Sequence, residues 1–268
     1  MGLFSRLFGR PGGRSAPPRE LTATQIALHA IASKNEAALV DGLSKGIAID
    51  VNDTSTGAPM LSMAIAQDLD RAVIAILDRK PDVNLGDAHA GMTALHVAVV
   101  RGKTQLVRRL LLAGADVNRP FGKPGGPQWM CLVTAMKQRN LEMIRVLLDA
   151  GAKPDCDMQP DAPDPNDRGL SPLVAATCAG DIEVMRLLIK HGANVNHWPA
   201  STMSPLMNAA FVGQTEAAKL LVESGAIIEL QSMKFKTNAY EIARQRGHAE
   251  LANFLRSRSK IVQQAYPA

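Results

Sequence analysis

Apolar residues recur along the chain in two alternating helical patterns. Leu95, Ala98 and Val99 share one face of a short helix, and Leu106, Val107, Leu110 and Leu111 mark a second at i, i+3, i+4 spacing. The couple repeats. An apolar, mostly small residue three positions after a leucine-like one falls at Ile31, Ala64, Ala98, Ala135, Ala176, Ala209 and Ala243, at intervals of 33, 34, 37, 41, 33 and 34. A fixed period of this length marks a stacked array, and the two long intervals place insertions in two loops. The punctuation agrees. Thr93, Ser171 and Ser204 stand where a hydroxyl can accept from an orphan helical N–H. Pro172 and Pro205 follow at the first helical position, where the missing N–H costs nothing. Gly102, Gly180, Gly213 and Gly247 end the first helices and Gly114, Gly151, Gly192 and Gly225 the second, since glycine accepts the left-handed cap. One such pair cannot bury its own apolar face, so neighbours must stack to make a shared core. The pattern predicts units near 25–56, 57–90, 91–127, 128–168, 169–201, 202–235 and 236–257.

The best unit runs Gly91-Met92-Thr93-Ala94-Leu95-His96-Val97-Ala98, then Gly102, then Leu110-Leu111-Leu112-Ala113-Gly114-Ala115-Asp116-Val117-Asn118. It resembles the ankyrin consensus G-x-T-P-L-H-x-A, then G, then L-L-L-x-x-G-A-D-V-N. Ser171-Pro172-Leu173 and Ser204-Pro205-Leu206 repeat the first element; Gly192-Ala193-Asn194-Val195-Asn196 and Gly225-Ala226 repeat the last. The resemblance covers about residues 25–257. It implies an all-α ankyrin-repeat solenoid of about seven helix-turn-helix units with β-turn fingers, two of the loops enlarged. The first and last units are degenerate, as caps would be; Tyr240 and Glu241 replace Leu-His in the last. The resemblance also gives His29 and His96 a structural role, bridging neighbouring repeats.

Partner recognition by finger tips and the concave face of the first helices is the further implication. On this chain the finger positions are Phe121, Trp129, His197, Trp198, Met203, Met233 and Phe235. The inner-helix positions are Val100, Arg101, Lys137, Gln138, Cys178, Phe211 and Val212. Aromatic, methionine and arginine side chains are typical interface anchors, and in a chain only 4% aromatic their gathering in fingers is informative. A second reading stays open for Trp129, Trp198 and Phe211, which could instead pack between adjacent repeats.

Composition narrows the picture. With 46% hydrophobic and 21% charged residues the chain is expected to fold, and alanine and leucine in place of aromatics favour close-packed helices. Cys131, Cys156 and Cys178 are odd in number and lack metal-ligand spacing, which fits a reducing compartment. No apolar run approaches the roughly 20 residues that span a bilayer. The start, MGLFSRLFGR, is broken by Arg6 and Arg10 and does not resemble a secretory signal; Arg6 also stands where a myristoylation site favours Ser or Thr. The expected location is the cytoplasm, with peripheral membrane attachment an option. The net charge of +5 sits at the two ends, on Arg6, Arg10, Arg14 and Arg19, and on Arg244, Arg246, Arg256, Arg258 and Lys260. Nucleic acid needs a continuous basic face, so none is expected as a partner.

Three segments exceed what a repeat requires. Residues 1–24 form a flexible lead-in whose Leu3, Phe4, Leu7 and Phe8 share one face of a short basic helix, with Gly12-Gly13 and Pro17-Pro18 after it. Such a helix can dock on an anionic membrane surface or on a protein assembly; a disordered start without a role is the other reading. Arg119 to Gln128 makes an enlarged finger that ends on Trp129. Lys153 to Arg168 holds five aspartates and four prolines; it lacks EF-hand spacing and is expected to be a solvated acidic loop. Residues 258–268 form a polar tail.

Catalytic chemistry finds no constellation. Of the histidines at 29, 89, 96, 191, 197 and 248, His191 and His197 flank a finger but have no acidic or cysteine partner at ligand spacing, and no phosphate loop, dinucleotide fingerprint, nucleophile elbow or H-E-x-x-H is present. Cys178 is expected to be a buried, inert thiol. The expectation is therefore no enzyme, no cofactor and no metal, but a protein-binding adaptor or scaffold with an unidentified protein partner. Two other readings remain: a bacterial inhibitor or immunity protein that blocks a partner enzyme with its concave face, and a secreted effector.

Overall fold

The structure is a computed structural model that describes residues 22–123, 125–126, 128–156, 170–197, 203–232, 236–259 and 264. Leu3, Phe4, Leu7, Phe8, Trp198, Met233, Phe235 and the acidic loop beyond Cys156 lie outside the described residues. Among those described there are fourteen helices and no strands, in two compact units, Met1–Gly126 and Pro127–Ala268.

The first unit holds three helix pairs: α1 (Ala23–Ala32) with α2 (Glu36–Ser44), α3 (Met60–Ala66) with α4 (Asp70–Asp78), and α5 (Ala94–Val100) with α6 (Thr104–Leu112). The first helices form an inner row, α1 on α3 on α5, and α2 packs on α4 in an outer row. Ile31, Leu39, Met60, Ile65, Ile76, Leu95 and Leu110 are fully buried where the rows meet. Each such side chain contributes about 1.5–3 kcal/mol on leaving water.

The second unit holds four pairs: α7 (Cys131–Lys137) with α8 (Leu141–Asp149), α9 (Pro172–Ala179) with α10 (Ile182–Lys190), α11 (Pro205–Val212) with α12 (Thr215–Glu223), and α13 (Ala239–Gln245) with α14 (Ala249–Arg258). Its inner row is α9, α11 and α13; its outer row is α8, α10, α12 and α14. Leu132, Met143, Ile144, Leu147 and Leu148 are fully buried. The caps stand where the sequence places them. Ser171 and Ser204 hydroxyls accept from Val174 and Met207 N–H at 3.3 Å, with Pro172 and Pro205 in the first turns.

The helix–helix turns need a left-handed residue. Gly102, Gly180, Gly213 and Gly247 supply it in four pairs, but Lys34, Asp68 and Arg139 take positive φ in the other three, and Lys80 does so where five other pairs use glycine after the second helix.

A ladder of side chains ties successive pairs together. Asp50 Oδ1 accepts from Asp82 N–H at 2.8 Å, and Asn84 Oδ1 accepts from Asp116 N–H at 2.8 Å while its Nδ2 donates to Gly114 O at 3.0 Å. In the second unit Asn196 repeats both bonds, to Ile227 N–H at 2.9 Å and Gly225 O at 3.1 Å. All three occupy the last position of the G-A-D-V-N element, and Gly46-Ile47-Ala48-Ile49-Asp50 is its degenerate copy. Unit one therefore keeps a working version of a signature that its sequence has largely lost. Glu36 adds a cross-pair cap: its Oε1 accepts from Arg71 and Ala72 N–H at 2.7 and 3.2 Å, at the start of α4.

Candidate binding surface

Two fingers in the first unit are each braced by one aspartate. The Asp87 carboxylate accepts from His89, Ala90 and Met92 N–H at 2.7–2.8 Å. Asp53 plays the same part 34 residues earlier, accepting from Thr56 N–H and hydroxyl at 2.8 Å. Burial works to raise the Asp53 pKa, but the hydrogen bonds from Ser55 and Thr56 outweigh it and hold the group below the usual carboxylate range. Backbone bonds join one finger to the next, from Ala88 N–H to Gly57 O at 3.1 Å and from Gly122 N–H to Ala90 O at 2.9 Å.

His96 lies at the root of this ribbon and is fully buried. Its Nδ1 accepts the Thr93 N–H at 2.9 Å, which leaves Nε2 to donate to Arg119 O at 2.8 Å. Burial, the largest cause, pushes its pKa down to about 4, so the ring is neutral near neutral pH. The structural role expected of His96 holds. His29 differs: it lies exposed on α1.

The expected contact residues divide into three groups. Phe121 is half-buried, its ring centroid 4.6 Å from that of His96, so it helps close the finger as well as face outward. Arg101 caps α5 and meets the Asp68 carboxylate, which Lys103 also contacts at 2.8 Å while reaching Asp70 at 3.0 Å. The bond from Lys103 and the nearby Arg101 charge hold Asp68 below its usual pKa. Burial works to lower the Lys103 pKa, but its two aspartate partners outweigh that and raise it.

In the second unit Trp129 is half-buried with the Lys137 ammonium 3.9 Å from its ring centroid. Lys137 also borders an open cleft of about 510 Å³ between the α7–α8 and α9–α10 pairs, with Arg139 on its own side and Asp181 and Glu183 on the other. His197 is half-buried, its N–H bonded to Asn194 O at 3.0 Å.

The third group converges. Met203 and Phe211 line one cleft of about 350 Å³ with Thr237, Ile242, Gln245 and Arg246. Phe211 is 40% exposed, and the Arg246 guanidinium carbon stands 3.6 Å from its ring centroid. This recess opens where α11 and α13 pack side by side. The sequence pointed to Met203 and Phe211 but not to Arg246, which looked like part of a basic terminus. The available signal was its place: Arg246 precedes Gly247 as Val212 precedes Gly213, so it belongs to the inner-helix end.

Cys178 is exposed on α9, not buried as expected, with Sγ 3.8 Å from Asn208 Oδ1. Its small neighbours Ala175 and Ala179 leave it uncovered, yet the surrounding helices exclude enough water to push the thiol pKa up. It remains protonated and a weak nucleophile.

A family model described as ankyrin repeats (3 copies) matches residues 28–121, 61–159 and 132–232. Among curated proteins, zygote-specific protein 3 of Chlamydomonas reinhardtii is 35% identical over 97 residues, 36% of this chain and 25% of that protein. The B-cell lymphoma 3 protein homolog of Mus musculus is 33% identical over 106 residues, 40% of this chain and 21% of that one. The chain thus spans a quarter or less of these relatives. Among solved structures, the ankyrin repeat domain of Bcl-3 superimposes with a TM-score of 0.65 at 24% identity, over 85% of this chain and 97% of that one. The human ASB11 ankyrin repeat domain gives 0.58 at 22% identity, over 90% and 99%. Both likenesses establish the fold alone. The helix pairs, the finger ladder and the family match over residues 28–232 lead to one conclusion: this chain belongs to the ankyrin-repeat family, whose repeats are protein–protein interaction modules.

Proposed function

We propose that the chain is a cytosolic adaptor or scaffold that holds a protein partner on its fingers and inner-helix face. The observation that carries this reading is the recess at Met203 and Phe211, where an aromatic ring stays 40% exposed beside a stacked arginine. A ring that served only the core would be covered. Interface anchors combine these side chains because each offers a large apolar area with a polar edge. Residues 1–10 serve as the tether in this proposal, with Leu3, Phe4, Leu7 and Phe8 entering an anionic membrane surface or a companion assembly.

Affinity capture from native cells with mass spectrometry tests the binding role. The expected result is one protein enriched by the full chain and lost with the double variant Met203→Ala, Phe211→Ala, while circular dichroism stays unchanged. Undiminished capture by the folded double variant would overturn the assignment to this face. For the tether, residues 1–20 fused to a fluorescent carrier should float with anionic vesicles or concentrate in cells, and a diffuse carrier that ignores vesicles contradicts it.

A further inference from the structure

The recess between α11 and α13 combines an apolar lining with one uncommitted charge. Met203, Ile242 and the Phe211 ring are apolar; Thr237, Gln245 and Arg246 are polar. The Arg246 guanidinium carbon lies 3.6 Å from the Phe211 centroid, a cation–π stack. Stacking uses one flat face of the guanidinium and leaves its in-plane N–H fork open. Arg246 forms no ion pair among the described residues.

Among the described residues, no carboxylate competes for that fork. Helices α9 and α11 contain no charged residue. The Glu241 carboxylate of α13 accepts from Thr237 Oγ1 at 2.8 Å and from Asn238 N–H at 3.1 Å, which commits it to the start of its own helix. Glu250 faces Lys219 at 3.7 Å. Residues 236–259 carry Lys236, Arg244, Arg246, Arg256 and Arg258 against Glu241 and Glu250, so the local field is positive. A phosphate polymer would need a continuous basic face, and the chargeless α9 and α11 interrupt one.

The geometry points to an acidic peptide segment of a protein partner as the occupant. A glutamate or aspartate carboxylate lies along the Arg246 edge, and an apolar side chain within two residues of it enters the recess against Phe211 and Met203. Carboxylate matches the planar fork of arginine in two parallel hydrogen bonds, and the apolar neighbour displaces water from a ring already half covered. This inference rests on the protein-binding reading and gives the partner its chemistry.

The test is fluorescence anisotropy of the full chain with three labelled decapeptides in a glycine–serine background. One carries a leucine followed two residues later by a glutamate; in the second the glutamate is replaced by lysine; in the third the leucine is replaced by alanine. The first should bind about tenfold tighter than the second, the worth of a charge-assisted hydrogen bond. Arg246→Gln, a change at an exposed side chain, should erase that preference. Phe211→Ala should erase the preference for leucine over alanine. Equal binding of acidic and basic peptides overturns the proposal, and so does a preference that survives in Arg246→Gln. No binding of the first peptide overturns it as well. So does Arg246-dependent retention on phosphatidylserine vesicles without peptide discrimination. A cellular partner still captured by the double variant Arg246→Gln, Phe211→Ala removes this site yet leaves the broader protein-binding reading standing.

Discussion

The third helix pair and the last two pairs place the same kinds of group side by side and use them differently. In the third pair a nitrogen heterocycle meets an aromatic ring, His96 against Phe121, and a nearby arginine, Arg101, lies at an inner-helix end. Every polar atom named there has an internal partner: Thr93 and Arg119 satisfy the imidazole, and Asp68 takes the guanidinium. In the last pairs Arg246 stacks on Phe211 and its N–H fork meets no carboxylate among the described residues. Groups already satisfied within the chain hold the repeat together, and the group left unsatisfied at the surface is where a partner gains most. Residue type alone does not separate the two cases; the partner does.

The largest effect should come from acid on the satisfied side. His96 is neutral when folded, with a pKa near 4 against 6.5 when unfolded. Between those values the unfolded chain binds a proton and the folded chain does not, so stability falls as pH falls through this window and levels off below it. The full loss is about 3 kcal/mol. Urea unfolding followed by circular dichroism at several pH values should show this slope, and His96→Gln should flatten it. An unchanged slope would mean that the imidazole is not the titrating group.

A backbone contrast comes next. Gly213 and Gly247 have φ of 83° and 80°, so alanine is strained at both, by about 1 kcal/mol. Around Gly247 an added Cβ meets nothing, whereas at Gly213 it would stand 2.5–2.9 Å from the His248 ring. Gly213→Ala should therefore cost about 2 kcal/mol and Gly247→Ala about 1 kcal/mol in urea unfolding. Equal losses would show that His248 swings aside freely.

Ladder residues should respond alike in the two units. Asn84→Ala and Asn196→Ala each delete two bonds to the neighbouring finger. Each should cost about 1–2 kcal/mol, and a much smaller loss at one would show that water replaces the side chain there.

What the sequence disclosed follows from periodicity. Anchors at 33- and 34-residue intervals, the Ser-Pro-Leu starts and the closing glycines gave the pairs, because each obeys a local rule. Features that depend on a neighbour about 30 residues away were hidden. Lys34, Asp68 and Arg139 replace the expected glycine and still turn left-handed, which tertiary packing enforces against local preference. Asp50 was masked by the Ile-Ala-Ile run before it. His29 and Cys178 were misjudged because the motif does not report how far neighbouring side chains cover a position. Met203 and Phe211 were legible as exposed anchors, but Arg246, in the next unit of the pattern, acquires its role only when α13 packs beside α11.

The smallest effect distinguishes the two arginines most sharply. Arg101→Ala removes an exposed ion pair with Asp68, whose side chain is 49% exposed, and leaves Lys103 to hold that carboxylate. The expected loss is under about 1 kcal/mol, because solvent screens the pair and the second cation remains. Arg246→Ala removes a surface cation–π stack worth about 0.5 kcal/mol. Similar sizes conceal different physics. The Arg101 term should shrink when salt is raised toward molar concentration, where the Debye length falls to about 3 Å. The Arg246 term combines stacking with desolvation and should change little. Urea unfolding of both variants at low and high salt reads this difference directly. If the two respond equally to salt, Arg246 has a charge partner after all, and the contrast between the satisfied and the open face collapses.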